Sequence, residues 1–378
     1  MAKSKITDEQ FLAERAQGKT LRQIAEEYSL HIRSVEARSA KLARKGYGHG
    51  KSDTPSQYAP EGFSIKGTST LIGKDGQMKT QWIKSEVDKE KQLELLRIAI
   101  TALCDDITPC EIVPLRREGL SEKLLNLYTV SDYHLGMLSW EEESGDDWDM
   151  KIAKDLFYSW FKAAIDTSPP AEHGVINLLG DFAHFDSLDA VTPASGHVLD
   201  ADTRYQKLVR YMIQMIAEVV KMALEKHEKV TLMIVQGNHD ETGMIWLAEM
   251  FNFFFSSNDR VTVDTQADVY KQLTHGKTAL FFHHGHKANM GKLDSVLVGK
   301  FRKEYGAAEY HYAHCGHLHH MKMIESNLMV IEQHRTLAAK DAYASRGGWL
   351  SNRSANVITY SKEYGEVSRL TISPEMLK

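Results

Sequence analysis

Five short clusters of Asp, Asn, His and Gly recur in a fixed order through the last two-thirds of the chain, each just past an apolar run of strand length. They read Asp132-Tyr133-His134, Gly180-Asp181, Gly237-Asn238-His239-Asp240, His283-His284-Gly285-His286 and Gly316-His317-Leu318-His319. The runs before them, 126–130, 175–179, 230–235, 278–282 and 310–313, are predicted strands, and the amphipathic stretches 151–165, 202–228, 243–255 and 293–305 are predicted helices. Strands and helices alternating in this way make an α/β pattern. Open α/β sheets collect their ligands beyond the carboxyl ends of the strands, which is where every cluster falls.

A length of 378 residues exceeds what one hydrophobic core usually serves, so two domains, or one domain with an appended module, are expected. The longest apolar runs, such as 230–235, are far short of a membrane span. No apolar stretch follows the lysines of the amino terminus, so no secretory signal is expected. Cys104, Cys110 and Cys315 cannot pair completely and show no C-x-x-C spacing, which argues against a disulfide framework or a zinc finger and fits a reducing cytoplasm.

The net charge of −5 is unevenly spread. Residues 1–50 carry ten Lys/Arg against six Asp/Glu, so a basic amino-terminal module precedes an acidic body. Within that module, residues 7–46 read as three helices. Phe11 and Leu12 mark the first; Leu21, Ile24, Ala25 and Tyr28, begun by Thr20 as a cap, mark the second. Ile32, Val35, Ala37 and Leu42 form the apolar side of the third, with Arg33, Arg38, Lys41, Arg44 and Lys45 mostly off it. The module (1–48) resembles a helix-turn-helix, whose last helix enters the major groove of DNA. A small helical bundle that only dimerises or packs is the alternative. Residues 47–62 read as a linker, and 63–72 and 77–84 flank Gly73-Lys74-Asp75-Gly76 as a β-hairpin. A charged helix from 85 to about 103 leads toward Pro109 and Pro114, which end its reach. The segment 49–123 is thus a linker with hairpin and connecting helix, and 124–378 is the body.

Hydrolysis of a phosphodiester needs a nucleophile at neutral pH and neutralisation of charge on the phosphoryl oxygens. Two divalent cations about 3.5–4 Å apart supply both by sharing a hydroxide, and mixed carboxylate, amide and imidazole donors suit manganese, iron or zinc. The five clusters contain that donor set. In this order they resemble the calcineurin-like metallophosphoesterase family, whose pattern is D-x-H, GD, GNH-D/E, H and GH-x-H, over about residues 126–320. The resemblance implies a four-layer β-sandwich flanked by helices. It implies that Asp132, His134, Asp181 and His319 hold one metal, that Asp181, Asn238, His284 and His317 hold the second, and that His239 faces the scissile phosphate. Manganese is the expected ion, with iron, zinc or magnesium as alternatives. His283 is left as a buried strand residue and His286 as a supporting or substrate contact, and no role is expected for His314 or His320.

The first cluster extends to Leu135-Gly136 and the second to Phe182-Ala183-His184. These are similar to signatures of the nuclease subunit of the double-strand-break repair complex, in which the His three positions after the bridging Asp orients substrate; His184 is the matching residue. The GD-x-x-DRG of protein phosphatases is absent. Residues 320–378 after the last cluster suffice to complete a β-sandwich rather than the capping domain of those nucleases, so no such domain is expected in them and no partner ATPase is implied. The expectation is a cytoplasmic, metal-dependent nuclease with DNA as partner, without membrane contact, and similar to proteins encoded by phages and prophages. A phosphatase or phosphodiesterase of nucleotides or cyclic nucleotides is the alternative, and a DNA-binding scaffold with a vestigial site a third. Oligomeric state and cleavage polarity are left open. The acidic run from Glu141 to Asp149 reads as a solvated loop, and Arg335, Arg346 and Arg353 with Trp349 as surface scatter rather than a phosphate grip.

Overall fold

Residues 6–44, 63–72, 78–87, 113–115, 119–193, 195–348 and 350–377 are described by the structure, a computed structural model, and the chain divides into two units, Met1–Arg97 and Ile98–Lys378. In the first unit lie helices α1 (Asp8–Ala16), α2 (Leu21–Glu27) and α3 (Ile32–Arg44). Thr7 and Thr20 begin the first two by accepting the amide protons of Gln10 and Gln23, whose side chains return to the cap amides. This reciprocal capping box satisfies donors that a helix start otherwise leaves open. Phe11, Ile24, Ala25, Val35 and Leu42 close a small core. Arg33 and Lys41 stay exposed on α3, while Arg38 lies 3.5 Å from Asp8.

Strands β1 (Phe63–Ile72) and β2 (Met78–Val87) pair antiparallel as the expected hairpin. β2 runs on to Val87, into residues read from sequence as the start of a helix. The linker 47–62, the hairpin turn and the rest of the connecting helix, with Cys104, Cys110 and Pro109, lie outside the described residues.

The second unit holds two sheets. In one, β3 (Ser121–Val130), β4 (Ala171–Leu179), β5 (Lys229–Val235) and β6 (Val261–Val263) run parallel, and β12 (Ala355–Ser361) and β13 (Gly365–Ile372) extend it antiparallel beyond β3. In the other, β8 (Thr278–Phe282), β9 (Tyr310–Cys315) and β11 (Val330–Gln333) run parallel between the antiparallel edges β7 (Lys271–His275) and β10 (Lys322–Glu325). Leu125, Leu127, Val175, Leu179, Met233, Val235, Ile358 and Tyr360 of the six-stranded sheet meet Leu280 and Phe282 of the five-stranded one. Burying each such side chain contributes roughly 1.5–3 kcal/mol.

Helices cover both outer faces. The shortest, α4 (Glu141–Ser144), lies in the loop after the first cluster. Of α5 (Met150–Thr167), α6 (Tyr205–Lys226) and α7 (Glu241–Phe254), the first two bury long apolar stripes, and Tyr128 of β3 meets Phe161 of α5 at 6.3 Å between ring centres. On the far side, α8 (Met290–Lys300) sets Leu293 and Leu297 on Phe281, Ala313 and Ile331, followed by α9 (Arg302–Ala307). The architecture is the mixed α/β, four-layer sandwich read from the sequence, with amino-terminal helices.

Three local expectations change. The helix read over 293–305 is two, because Phe301 leaves helical geometry (φ −114°, ψ 46°) while its ring stacks on Phe281. α7 begins at Glu241 rather than 243, since the distant Asp186 carboxylate accepts the amide protons of Thr242 and Gly243 at 2.7 and 2.8 Å. The acidic run after the first cluster is solvated as read, with Glu141, Glu142, Glu143 and Asp147 exposed, but it is not all loop. It folds into α4 and pairs Glu143 with Arg346 at 2.6 Å and Asp146 with Arg353 at 3.4 Å, so these two arginines are already engaged. α10 (Ala342–Arg346) carries the first of them. Trp349 lies outside the described residues. Among the described residues no helix is long and apolar enough to cross a membrane.

Candidate metal centre

The five clusters follow β3, β4, β5, β8 and β9 directly, and both sheets present these carboxyl ends to one edge of the sandwich. There the backbone bends sharply. Asp132, His134, Asp181, His317 and His319 have φ of 52°, 47°, 51°, 73° and 55°, and among the described residues Ser29 is the one other non-glycine with positive φ. Left-handed backbone costs an L-residue on the order of 1 kcal/mol or more, and such strain persists where the surrounding structure enforces it. Here the turns are held by hydrogen bonds across the site: His134 N–H donates to Asp181 O and Asp132 N–H to Gly180 O, both at 3.0 Å. The glycines have their own reason. A Cβ on Gly237 would overlap the Asp181 carboxylate, and one on Gly316 would overlap Ser131 Oγ and Asp132 Oδ2.

Among the described residues four groups of metal-ligating atoms lie within 4.8 Å of one another: Asp132/His134/His319 and Asp181/His284/His317, which carry the carboxylates of the first two clusters, the all-imidazole His134/His184/His239 beside them, and His314/Glu332/His334. His319 Nε2 lies 3.2 Å from Asp132 Oδ1 and 3.3 Å from His134 Nε2. His284 Nε2 lies 3.0 Å from Asp181 Oδ2 and 3.8 Å from Asp132 Oδ1, which places the first two groups side by side. His284 Nδ1–H donates to Leu179 O at 2.9 Å, which orients the ring so that Nε2 faces the carboxylates. Burial alone would raise both carboxyls and lower both imidazoles. The neighbours prevail: His319 and His284 hold Asp132 well below the usual carboxylate range, and His284 does the same for Asp181. His284 in turn is pushed up to about 10 by Asp181 and Asp132. Burial wins at His134, held neutral well below the usual imidazole range.

The donor set fits divalent cations. Buried carboxylates and imidazoles converge in these two adjoining groups, and the buried Oδ1 of Asn238, expected as a ligand of the second, has no hydrogen-bond partner. Such an orphaned acceptor costs about 1–3 kcal/mol unless a cation or donor takes it up.

His239 is set beside these groups. Its Nδ1–H donates to His184 O at 2.8 Å, its ring centre is 4.7 Å from that of His134, and its amide donates to Asp181 Oδ1 at 2.8 Å. His184 is 2% exposed, far from the solvent-facing residue its loop position allows. Its ring stacks against His239 and its Nδ1 lies 3.2 Å from His134 Nδ1, with burial lowering its pKa to about 3.

Two residues that shape the site were not assigned roles from the sequence. Asp240 accepts the amides of Gly237, Asp181 and Ala183 at 2.9, 3.2 and 3.0 Å and so joins the second and third clusters. Asp186 ties the loop that carries His184 to the start of α7. Their carboxylates were visible beside the motifs, but a partner in another loop leaves no local signal. His283 is buried as expected, and His286 sits against His284 and His317. His314 is held by His334 and Tyr360 at 2.9 and 3.0 Å, and Glu332 is bound bidentately by Arg369; the trio His314, Glu332 and His334 also converges, with Nδ1 of His334 left without a hydrogen-bond partner. His320 is exposed.

No protein-family model and no curated protein matches the sequence. Solved structures do resemble the chain. One is an uncharacterized protein of Streptococcus pneumoniae described as a predicted phosphoesterase, 11% identical over 68% of this chain and 99% of that one, with a TM-score of 0.29. Vacuolar protein sorting 29 of Cryptosporidium parvum is 11% identical over 66% and 98%, at 0.29. A novel archaeal phosphodiesterase is 12% identical over 66% and 99%, at 0.33. Likeness at this level carries no argument about activity, and the fold assignment rests on the strand order and register above.

Proposed function

We propose that the chain is a metal-dependent phosphodiesterase that cleaves DNA, recruited to it by the amino-terminal helices. The observation that carries the hydrolytic part is the pair of adjoining donor groups across the two sheets, with His239 fixed beside them. When bound, two divalent cations supply charge neutralisation at the phosphoryl oxygens and acidify water for attack near neutral pH. Asp132, His134, Asp181 and His319 would hold one, and Asp181, Asn238, His284 and His317 the other, with manganese as the favoured ion. His239 donates through Nδ1 to a backbone carbonyl, which leaves Nε2 as the open ring nitrogen; a second proton taken up there from solvent is the one it would pass to the departing oxygen. The buried His184 carries that carbonyl and packs on the His239 ring, so it positions His239 toward the phosphate.

The choice of DNA is supported by the basic balance of residues 1–50 and by Arg33 and Lys41 exposed on the last of three short helices. Purified protein with manganese is offered labelled single- and double-stranded DNA beside a cyclic nucleotide and a generic phosphodiester, with Asn238→Ala as control. Metal-dependent DNA cleavage lost in the control is expected. Turnover of the small substrates with intact DNA overturns the nuclease reading in favour of nucleotide hydrolysis, and no turnover at all overturns both.

A further inference from the structure

The turn after β8 contains hydrogen-bonding capacity that the fold does not use. Both ring nitrogens of His286 are buried without a partner, and so is Nε2 of His283. Nδ1 of His283 accepts the Gly285 amide proton at 2.9 Å, so the neutral ring carries its own proton on that unpartnered Nε2. The two imidazoles are almost parallel, 5.6 Å apart and inclined by 8°, and His283 stacks on Tyr270 at 4.3 Å and 12°. Lys300 Nζ sits 5.0 Å from the Tyr270 ring centre, so the column is anchored at its far end. At its near end the His286 ring centre lies 5.4 Å from that of His284 and 6.4 Å from that of His317. His286 belongs to none of the groups of converging metal-ligating atoms found among the described residues.

Leaving buried donors and acceptors unpaired costs about 1–3 kcal/mol each, so a folded turn that does so in three places beside a reaction centre is built to receive a polar group. We infer that His286, backed by His283, is a substrate contact that donates a hydrogen bond to a non-bridging oxygen of a substrate phosphate. This rests on the proposed phosphodiesterase reading and extends it by naming a residue outside the metal-holding set. The stacked column fixes the imidazole before substrate arrives, so little side-chain freedom is lost on binding. Either the scissile phosphate or the one next to it offers the same oxygen chemistry.

The test compares manganese-loaded wild type, His286→Ala and His286→Gln, the last keeping a donor and an acceptor. Manganese content and unfolding temperature are expected to be unchanged in both variants. Calorimetric affinity for inorganic phosphate should fall about tenfold or more in His286→Ala, as a charge-assisted hydrogen bond would give, and recover in His286→Gln. On bis(p-nitrophenyl) phosphate the same variant should raise KM more than it lowers kcat. An effect on an oligonucleotide alone, with phosphate affinity and the single-phosphate substrate untouched, assigns the contact to the neighbouring phosphate and supports the inference. Unchanged phosphate affinity together with unchanged kinetics on both substrates overturns it. Loss of manganese from His286→Ala also overturns it, by making His286 a metal ligand, and so does a lowered unfolding temperature with unchanged phosphate affinity. A wild type that binds phosphate through His286 yet cleaves no diester would refute the proposed function and leave this contact standing.

Discussion

The two sheets contribute to the centre unequally. Loops after the six-stranded sheet bring the two carboxylates of the donor groups, Asp132 and Asp181, together with Asn238, His134 and His239; loops after the five-stranded sheet bring imidazoles, His284, His317 and His319. Behind the site the sheets are joined by aliphatic and aromatic packing. At the site they are joined by charge, through His284 with Asp181 and Asp132, His319 with Asp132, and the His317 amide on the Asp132 carboxylate at 3.0 Å. The difference teaches that neither sheet holds a complete metal site. Binding a cation therefore ties the two sheets together, and the carboxylate side is the harder one to replace.

The largest effect is expected from Asp181, the carboxylate proposed to serve both metals. Asp181→Ala should lower kcat/KM on a generic phosphodiester by about a thousandfold or more, because both donor groups lose charge neutralisation at once; a loss under tenfold would break the comparison. Removing one imidazole from the other sheet should cost less. For His317→Ala a loss on the order of a hundredfold is expected, recovering in part at higher manganese concentration, because one weakened site can be refilled by mass action. An equal or larger loss than in Asp181→Ala would reverse the ranking of the sheets.

Next comes the join between the sheets. A methyl on Gly316 falls on Ser131 and the Asp132 carboxylate, so Gly316→Ala should destabilise the chain by about 2 kcal/mol in chemical denaturation and reduce manganese binding. The smallest effect belongs to the five-stranded sheet away from the site. Burial would raise the Glu332 carboxyl, but His334 and Arg369 hold it at about 2, below its ordinary 4.5. Its folded pKa is the lower one, so its contribution is fully present above about pH 4.5 and is lost as pH falls toward 2. Glu332→Gln should cost about 1.5 kcal/mol at neutral pH, discounted because Arg369 is partly exposed, and should flatten the loss of stability on acidification. Manganese content should not change; if it does, the network reaches the centre.

The sequence made the strands that carry the site legible because each is an uninterrupted apolar run ending in polar, glycine-bearing residues, as 230–235 before Gly237 shows. Strand ends gave the edge where a site would lie, and the resemblance of the ordered clusters to the metallophosphoesterase pattern implied that Asp132, Asp181, His284 and His317 converge there. The partition into two sheets was not legible. β12 pairs with β3 across more than two hundred residues, and β6, β7, β10 and β11 are too short to show a period. Left-handed backbone at Asp132 and His319 was hidden for a related reason, since Asp and His tolerate that geometry without demanding it. Asp240 and His286 depended on which hydrogen bonds other loops make or leave unmade.

Calorimetric titration of the metal-free protein with manganese, in wild type and Asp181→Ala, tests the proposed two-metal centre most directly. Two equivalents per chain are predicted for wild type, with unfolding temperature rising as they bind, and at most one weak equivalent for the variant. Absence of manganese binding by the wild type, or two undiminished equivalents in Asp181→Ala, would contradict a centre built on that carboxylate across two sheets.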